Sequence, residues 1–496
     1  MSTTSGHVKV INQKASANSK MSQNITPVPN PTASYWLSEP HWLNNHRSTP
    51  ELPSHADIVI IGTGIAGVST AYHLTETYKL ATRNRNSNLN DTAPPSHQGQ
   101  RRAETPPPSI LILEARTVCS GATGRNGGHI KKLPSSINEL IQGHGFAVAG
   151  EIVRFIKENI YAVKDVIEKE AIAAEAELRR SLDVCLDEDD AKAVREEYEK
   201  LRGDGFPLME DVGCITGNGD KGVVERITSL HGAEVALSTP VLSLWPYKFV
   251  TQLLERVLRT GYANLQTNTP VTAIETQATE QSGDREEQYV IKPPQGDIKT
   301  STVILATNGY TAGLLPQYHN VITPAKATAS HIAVPPDHYP PYLSNTYNIR
   351  HASDRVDYLN PRPDGGIVVG GGKEAYRDHR ELWYDVFNDS TLVEPARHYF
   401  DGLMQRHFRG WEESGAVTEK VWTGIQGITK DGMPHIGKVP GTSGQYVLAG
   451  YNGGGMALAF LAAKGVAKMV GYGVGFSETG VPECMKTTRE RMGKGQ

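Results

Sequence analysis

Six residues, Gly62-Thr63-Gly64-Ile65-Ala66-Gly67, separate the β-branched run 57–61 from a helical pattern at 68–77. Strand, glycine turn and helix in that order form the arrangement that receives a dinucleotide pyrophosphate. Gly62 permits the tight turn, Gly64 lets the backbone approach the phosphates, and Gly67 lets the helix lie close on the strand. The first helical turn, with Ile65 and Ala66, offers free N–H groups and the positive end of the helix dipole to phosphate charge. An acidic residue at the end of the next strand accepts hydrogen bonds from a ribose, and Glu114 holds that place after the apolar run 110–113. Its separation from Gly67 exceeds the ~20 residues usual for this pattern, and a polar tract over 81–108 accounts for the excess. A glycine turn that only joins strand to helix is the plainer alternative; the flanking elements and the acidic strand end weigh against it.

This fingerprint does not by itself separate NAD from FAD, and the segment after Glu114 does. Residues 115–129 form a long loop dense in glycine, in which backbone amides and small side chains line an extended cofactor. Ala115, Arg116, Gly121, Ala122, Thr123, Arg125, Asn126, Gly127 and Gly128 are the expected contacts. His129 closes the loop as a candidate for assisting deprotonation, although a lone histidine more often serves as a structural hydrogen-bonding group. Farther along, Arg350, His351, Arg355 and Tyr358 cluster in one stretch. Arginine grips carboxylates through two parallel hydrogen bonds, so Arg350 or Arg355 is the expected clamp for a substrate carboxylate, with Tyr358 beside it. Solvated surface charge is the alternative for each of them.

These groups need elements to carry them. The 496 residues are 38% hydrophobic and 21% charged, the balance of an ordinary globular chain with room for two or three domains. Net charge is −4 and the basic residues are scattered, so neither nucleic acid nor an anionic membrane is an expected partner, and small molecules are. Cys119, Cys185, Cys214 and Cys484 lie far apart with no CxxC pair, which points to neither a metal site nor a disulfide framework. No apolar run approaches the ~20 residues of a membrane span. The first thirty-odd residues, rich in Ser, Thr, Asn and Pro, lack the apolar core of a secretory leader, and the expected location is cytoplasmic.

Residues 1–34 read as a disordered arm, with structure beginning at Tyr35-Trp36-Leu37, and 81–108 as a surface insertion. Apolar residues at helical spacing over 148–202 predict two or three amphipathic helices. A helix at 248–259 and strands at 271–275, 289–292 and 302–306 follow. Short apolar runs punctuated by Pro, Gly and Tyr over 320–375 predict most of a substrate-binding sheet. A strand at 446–449 leads into Gly453-Gly454-Gly455 and an apolar helix at 456–470.

Read in order, several stretches resemble a known family: Ser34-Tyr35-Trp36, Leu113-Glu114-Ala115, the glycine-rich run from Gly121 to Gly128, and Ala306-Thr307-Asn308-Gly309-Tyr310-Thr311. Trp422-Thr423-Gly424 follows, with Thr429, Asp431, Pro434 and Gly437. The family is that of FAD-dependent amine and amino acid oxidases, which includes D-amino acid oxidase, glycine oxidase and sarcosine oxidase; the pattern is similar to its gamma-glutamylputrescine oxidoreductase-like branch. The resemblance spans about residues 34 to 472 and implies an α/β fold. A glutathione-reductase-like, Rossmann-type FAD-binding domain (35–147, 235–320 and 420–475) would be interleaved with an α+β substrate-binding domain containing a mixed sheet (148–234 and 321–419). A C-terminal tail, 476–496, would follow.

The resemblance also implies that Val271 meets the adenine end through its backbone. Thr307, Asn308, Gly309, Gly424 and Asp431 would join the cofactor site. The turn Gly453-Gly454-Gly455-Met456 would lie under the pyrimidine edge of the flavin, with Tyr310 and Met456 near the reacting ring. A helix starting at Gly455 would aim its positive end where negative charge gathers on reduction. Some relatives carry a flavin-bonded cysteine where this chain has Trp422, so FAD is expected to be held non-covalently. Where those relatives carry a lysine that helps oxygen react, this chain has Val368, with Lys326 and Lys373 nearby; the acceptor is O2 or another. The implied activity is hydride transfer from the carbon beside the nitrogen of a small amine or amino acid, followed by imine hydrolysis. Two alternatives stay open: a flavin dehydrogenase or tailoring oxidase acting on a nitrogen-containing metabolite, and a non-redox protein with structural FAD.

Overall fold

The computed structural model describes residues 25–88, 107–131, 134–281 and 284–493. Its first sheet has six strands in the order His435–Lys438, Gln445–Ala449, Thr302–Leu305, Ile58–Ile61, Ile110–Leu113, Ala263–Gln266. All neighbours are parallel except the first pair. The central strand Ile58–Ile61 is wholly buried because both of its faces are covered. Ile58 and Ile60 pack with residues of the helices Ile65–Asn88, Pro246–Leu258 and Gly455–Tyr472. Val59 and Ile61 pack instead against Tyr289, Ile291 and Ile298 of a three-stranded antiparallel sheet. The alternation of one β-strand thus fixes which layer lies on which side. The strands Ile58–Ile61, Thr302–Leu305 and Gln445–Ala449 all end in turns that open onto one crevice, where parallel sheets bind ligands.

A second, mixed sheet has nine strands. Its order is Val417–Thr429, Ile322–Ala333, Ile367–Gly370, Arg355–Pro361, Thr346–Ala352, Glu177–Cys185, Val235–Ser243 and His129–Ile130, with Gly213–Thr216 added on Val235–Ser243. Strands Thr346–Ala352 and Glu177–Cys185 are parallel. The mixed sheet expected over 320–375 is present, and it recruits strands from well outside that stretch.

Glu177–Cys185 lies within the region read as helical, between the helices Phe146–Lys169 and Glu188–Gly203. Its charges hid it: Asp183 is buried and accepts from Ser135 Oγ at 2.5 Å, while Arg180 donates to Ser238 Oγ at 2.9 Å. Val235–Ser243, His129–Ile130 and Val417–Thr429 also run in this sheet, although the segments 35–147, 235–320 and 420–475 read as parts of the dinucleotide domain. The chain crosses between the sheets more often than composition reveals.

The N-terminal arm is not loose throughout. Ile25 is buried with its carbonyl against Gly313, and the Thr32 N–H donates to the Asp389 carbonyl at 2.8 Å. The expectation for 1–24 lies outside the described residues. Helix Ile65–Asn88 continues past the expected start of the insertion at 81, whose portion 89–106 lies outside the described residues. The last segment folds back: Phe476 and Met485 are buried, and the Thr487 N–H donates to the Ile436 carbonyl at 2.9 Å. Among the described residues no helix is long and apolar enough to cross a membrane, and no group of three His, Cys, Asp or Glu could hold a metal ion.

Candidate functional site

A cavity of about 540 Å³ runs from the crevice beyond Ile58–Ile61 to the nine-stranded sheet. Its first end is mostly backbone. Gly62 adopts φ +109°, which strains an L side chain, and a Cβ there would stand 2.7 Å from the Ala306 carbonyl oxygen. Gly64, Ile65, Ala66, Ala115 and Val271 line this end with Gly62. Gly67 does not line it; a Cβ there would collide with the Gly62 carbonyl oxygen, so its part is helix-on-strand packing. Glu114 faces the cavity with its carboxylate fixed. One oxygen accepts from Thr63 N and Oγ1 at 2.9 and 2.6 Å, the other from Arg116 N at 3.0 Å.

The glycine-dense loop wraps the next section. Gly121, Ala122, Thr123, Asn126 and Gly127 line it, and Thr123 Oγ1 accepts from the Ile65 N–H at 3.1 Å, tying the loop to the first helical turn. Gly128 stays outside, packed where a Cβ would meet the Trp36 ring at 2.5 Å. Arg116 and Arg125 both line the cavity and converge on the buried Asp389, at 2.9 and 3.7 Å. Burial opposes the Arg116 charge, but its bonds to Asp389 more than offset this and hold the guanidinium above its ordinary range. Burial brings Arg125 down to about 10, with Asp389 resisting. Both stay charged near neutrality and offer guanidinium donors of the kind that grip phosphate. Asp389 escaped the sequence reading because it lies in a loop without motif, 273 residues from Arg116.

Farther in, Thr307, Asn308, Tyr310 and Gly424 line the cavity. Asn308 Oδ1 accepts from the Gly450 and Tyr451 N–H groups at 3.1 and 3.3 Å, holding the Gly450 turn beside the Thr307 turn. Gly309 and Asp431 stand behind the wall. A Cβ on Gly309 would lie 2.6 Å from the Gln426 carbonyl oxygen, and Asp431 pairs with Arg491 at 2.7 Å. Helix Gly455–Tyr472 begins at Gly454 with no side-chain cap, and Gly453, Gly454, Gly455 and Met456 all line the cavity. Its unsatisfied N–H groups and positive dipole end are therefore available to a ligand. The buried Asn159, which no sequence motif marked, braces this turn. Its Nδ2 donates to the Met456 carbonyl at 3.1 Å, and its Oδ1 accepts from the Leu461 N–H at 3.0 Å.

Single side chains make the far end: His129, Lys131, Asn348 and Tyr358, beside Leu140, Ile152 and Ile156. The Tyr358 ring occupies a slot that only glycines allow, since a Cβ on Gly127 would stand 2.5 Å from it and one on Gly370 would overlap it. His129 meets that ring edge-on at 5.4 Å between centroids. Burial, with Lys131 and Arg362 adding to it, drives the imidazole well below its ordinary pKa. Burial thus favours the neutral imidazole at this position. Burial raises the Tyr358 and Tyr310 phenols above their ordinary range, so both remain protonated.

Two expected substrate contacts do not reach the cavity. Arg350 is committed to Asp190 through two 2.9 Å hydrogen bonds and to Ser135 Oγ through a third of 2.9 Å, and Arg355 pairs with Glu374 at 2.6 Å on the surface. A carboxylate 160 residues away satisfies Arg350, which no local pattern could disclose. Trp422 is buried, its Nε1 donating to the Arg125 carbonyl at 2.9 Å. Lys326 donates to Thr391, and the Lys373 ammonium lies over the Trp383 ring; neither lines the cavity.

The donor set suits FAD. Glu114 could accept from a ribose, Arg116 and Arg125 could donate to phosphates, and an uncapped helix start lines the same cavity. The buried wall atoms His129 Nδ1 and the Tyr451 hydroxyl have no hydrogen-bond partner among the described residues. The chain is similar to the glycine oxidase of Bacillus subtilis (strain 168), with 23% identity over 410 residues covering 82% of this chain and 90% of that protein. Among solved structures it is similar to the glycine oxidase from Geobacillus kaustophilus, with a TM-score of 0.59 and 17% identity over 88% of this chain and 99% of that one. It is also similar to the L-proline dehydrogenase from P. horikoshii, with a TM-score of 0.58 and 19% identity over 86% and 95% of the two chains. The family model described as FAD dependent oxidoreductase matches residues 57–469, taking in both the dinucleotide crevice and the substrate sheet, and the chain belongs to that family.

Proposed function

We propose that this chain oxidises the carbon–nitrogen bond of a small amine or amino acid. One observation carries the reading: the same cavity joins the Gly62 turn and Glu114 to His129, Asn348 and Tyr358, so a cofactor laid along the glycine loops would end against these side chains. The similar proteins named for glycine and L-proline support it. When bound, FAD supplies the two-electron acceptor for hydride from the carbon beside the nitrogen.

The protein's own groups do the rest. Glu114 would hold the ribose, Arg116 and Arg125 the phosphates, and the helix start at Gly455 would stabilise negative charge at the reacting end. His129 and Tyr358, both neutral, orient the substrate without placing charge beside a nitrogen that must be unprotonated to release hydride. Leu140, Ile152 and Ile156 exclude water during transfer, after which water converts the imine to a carbonyl compound and ammonia. With Trp422 buried where relatives carry a flavin-bonded cysteine, FAD is held without a covalent bond.

An anaerobic screen of amines and amino acids, following loss of the yellow flavin absorbance, tests the reading. Bleaching by at least one natural amine is expected; a protein that stays colourless when FAD is added, or that no amine bleaches, refutes it. The acceptor, O2 or another, is read by repeating the same screen in air and following peroxide release.

A further inference from the structure

We propose that Lys131 receives an acidic group of the substrate and so restricts the enzyme to amines that carry a carboxylate, an assignment that rests on the carbon–nitrogen oxidation reading. Lys131 stands two residues beyond His129, and both side chains line the far end of the cavity. Its ammonium donates to Ser181 Oγ at 3.0 Å and to the Tyr347 carbonyl at 3.3 Å, two neutral acceptors for three hydrogens. The charge that acts on it is Asp183, which forms no ion pair with it: Asp183 Oδ2 accepts from Ser135 Oγ at 2.5 Å, to which Arg350 donates in turn, and Oδ1 has no hydrogen-bond partner among the described residues.

Every other cation of the cavity wall is already engaged, since Arg116 and Arg125 share Asp389. Arg350 and Arg355, the residue types expected to clamp a carboxylate, are consumed by Asp190 and Glu374. Among the described residues lining the cavity, Lys131 is therefore the cation without an ion pair. Burial lowers it to about 7 against the pull of Asp183, so an arriving carboxylate gains by completing its charge. The Asn348 side chain and the partnerless Nδ1 of His129 make the same end polar, while Leu140, Ile152 and Ile156 keep the approach apolar.

The test is a titration of the FAD-loaded protein with benzoate and with benzamide, followed by perturbation of the flavin spectrum. Benzoate is expected to bind at least about tenfold more tightly, the worth of one charge-assisted hydrogen bond. Lys131→Gln is expected to erase the preference and Lys131→Arg to keep part of it. In turnover, the ratio of kcat/KM for an amino acid over its amide falls by a similar factor in Lys131→Gln. Equal binding of the two probes to the wild type, or binding of neither, overturns the proposal. So does an FAD-loaded Lys131→Gln that still prefers benzoate. The wild-type comparison holds even where the variant fails to load FAD. It also needs no turnover, so a failed amine screen sinks the oxidase reading and leaves this result readable.

Discussion

The two ends of the cavity are made of different materials. At the dinucleotide end, backbone and glycine from contiguous stretches of chain carry the geometry; at the substrate end, His129, Lys131, Asn348 and Tyr358 each arrive from a different turn or position in a nine-stranded sheet. A site made of backbone tolerates almost no change, because a single added carbon strikes atoms that cannot swing aside. A site made of side chains fails by degrees. The difference separates variants that lose the cofactor from variants that keep it and lose selectivity.

Gly67→Val attacks the first end, where even a Cβ collides with the Gly62 carbonyl oxygen. The expected cost is about 4 kcal/mol, at the severe end for one substitution. The protein should be recovered colourless or insoluble, read from the ratio of flavin to protein absorbance. A yellow variant with wild-type Tm would mean that the helix and strand are less tightly locked than the backbone shows. Asp389→Asn probes the same end through charge. It leaves the buried Arg116 and Arg125 without their shared counter-charge and weakens the anchors of the N-terminal segment, since Arg116 also donates to the Val28 carbonyl and Arg125 to Thr32 Oγ1. About 3 kcal/mol of stability should go, seen as a lower urea midpoint at unchanged slope.

Gly370→Ala moves to the second end. The new methyl overlaps the Tyr358 ring and displaces it from the cavity wall. FAD content is expected to hold while kcat/KM falls about 10- to 100-fold, the scale of a misplaced positioning group. Loss of flavin instead would show that the two ends are not separable.

Legibility follows the same division. Gly62, Gly64, Glu114, the loop from Ala115 to Gly127 and the helix start at Gly455 were readable because each is a short run whose residue types the local backbone dictates. The substrate end was not. Asn348 and Lys131 are single polar residues whose use depends on strand pairing, and Arg350 looked available because its partner Asp190 belongs to another helix. Strand Glu177–Cys185 was hidden for a related reason: hydrophobic periodicity reads buried charges as solvent-facing, and here Asp183 Oδ2 accepts from Ser135 and Arg180 donates to Ser238 inside the fold.

The mildest test changes only pH. Anion binding at Lys131 requires its protonated form, so with a pKa near 7 benzoate affinity should be flat around pH 5.5 to 6, above the ordinary carboxyl range, and fall as pH rises past about 7. The limiting slope is tenfold per pH unit, about 1.4 kcal/mol. The facing groups fix the sign. Asp183 pulls Lys131 upward, Arg350 acts on Asp183 from behind Ser135, and His129 stays neutral throughout, so its substitution by Gln should leave the midpoint in place. Because a bound carboxylate raises the lysine pKa, binding at pH 8 should take up protons, measurable in weakly buffered solution. At the other end Arg116 is held above its ordinary range and Arg125 titrates only near 10, so FAD retention should not change over pH 6 to about 8.5. Benzoate affinity that is equally flat over that interval would place Lys131 in a solvated setting, and the contrast between a pH-indifferent cofactor end and a titrating substrate end would fall with it.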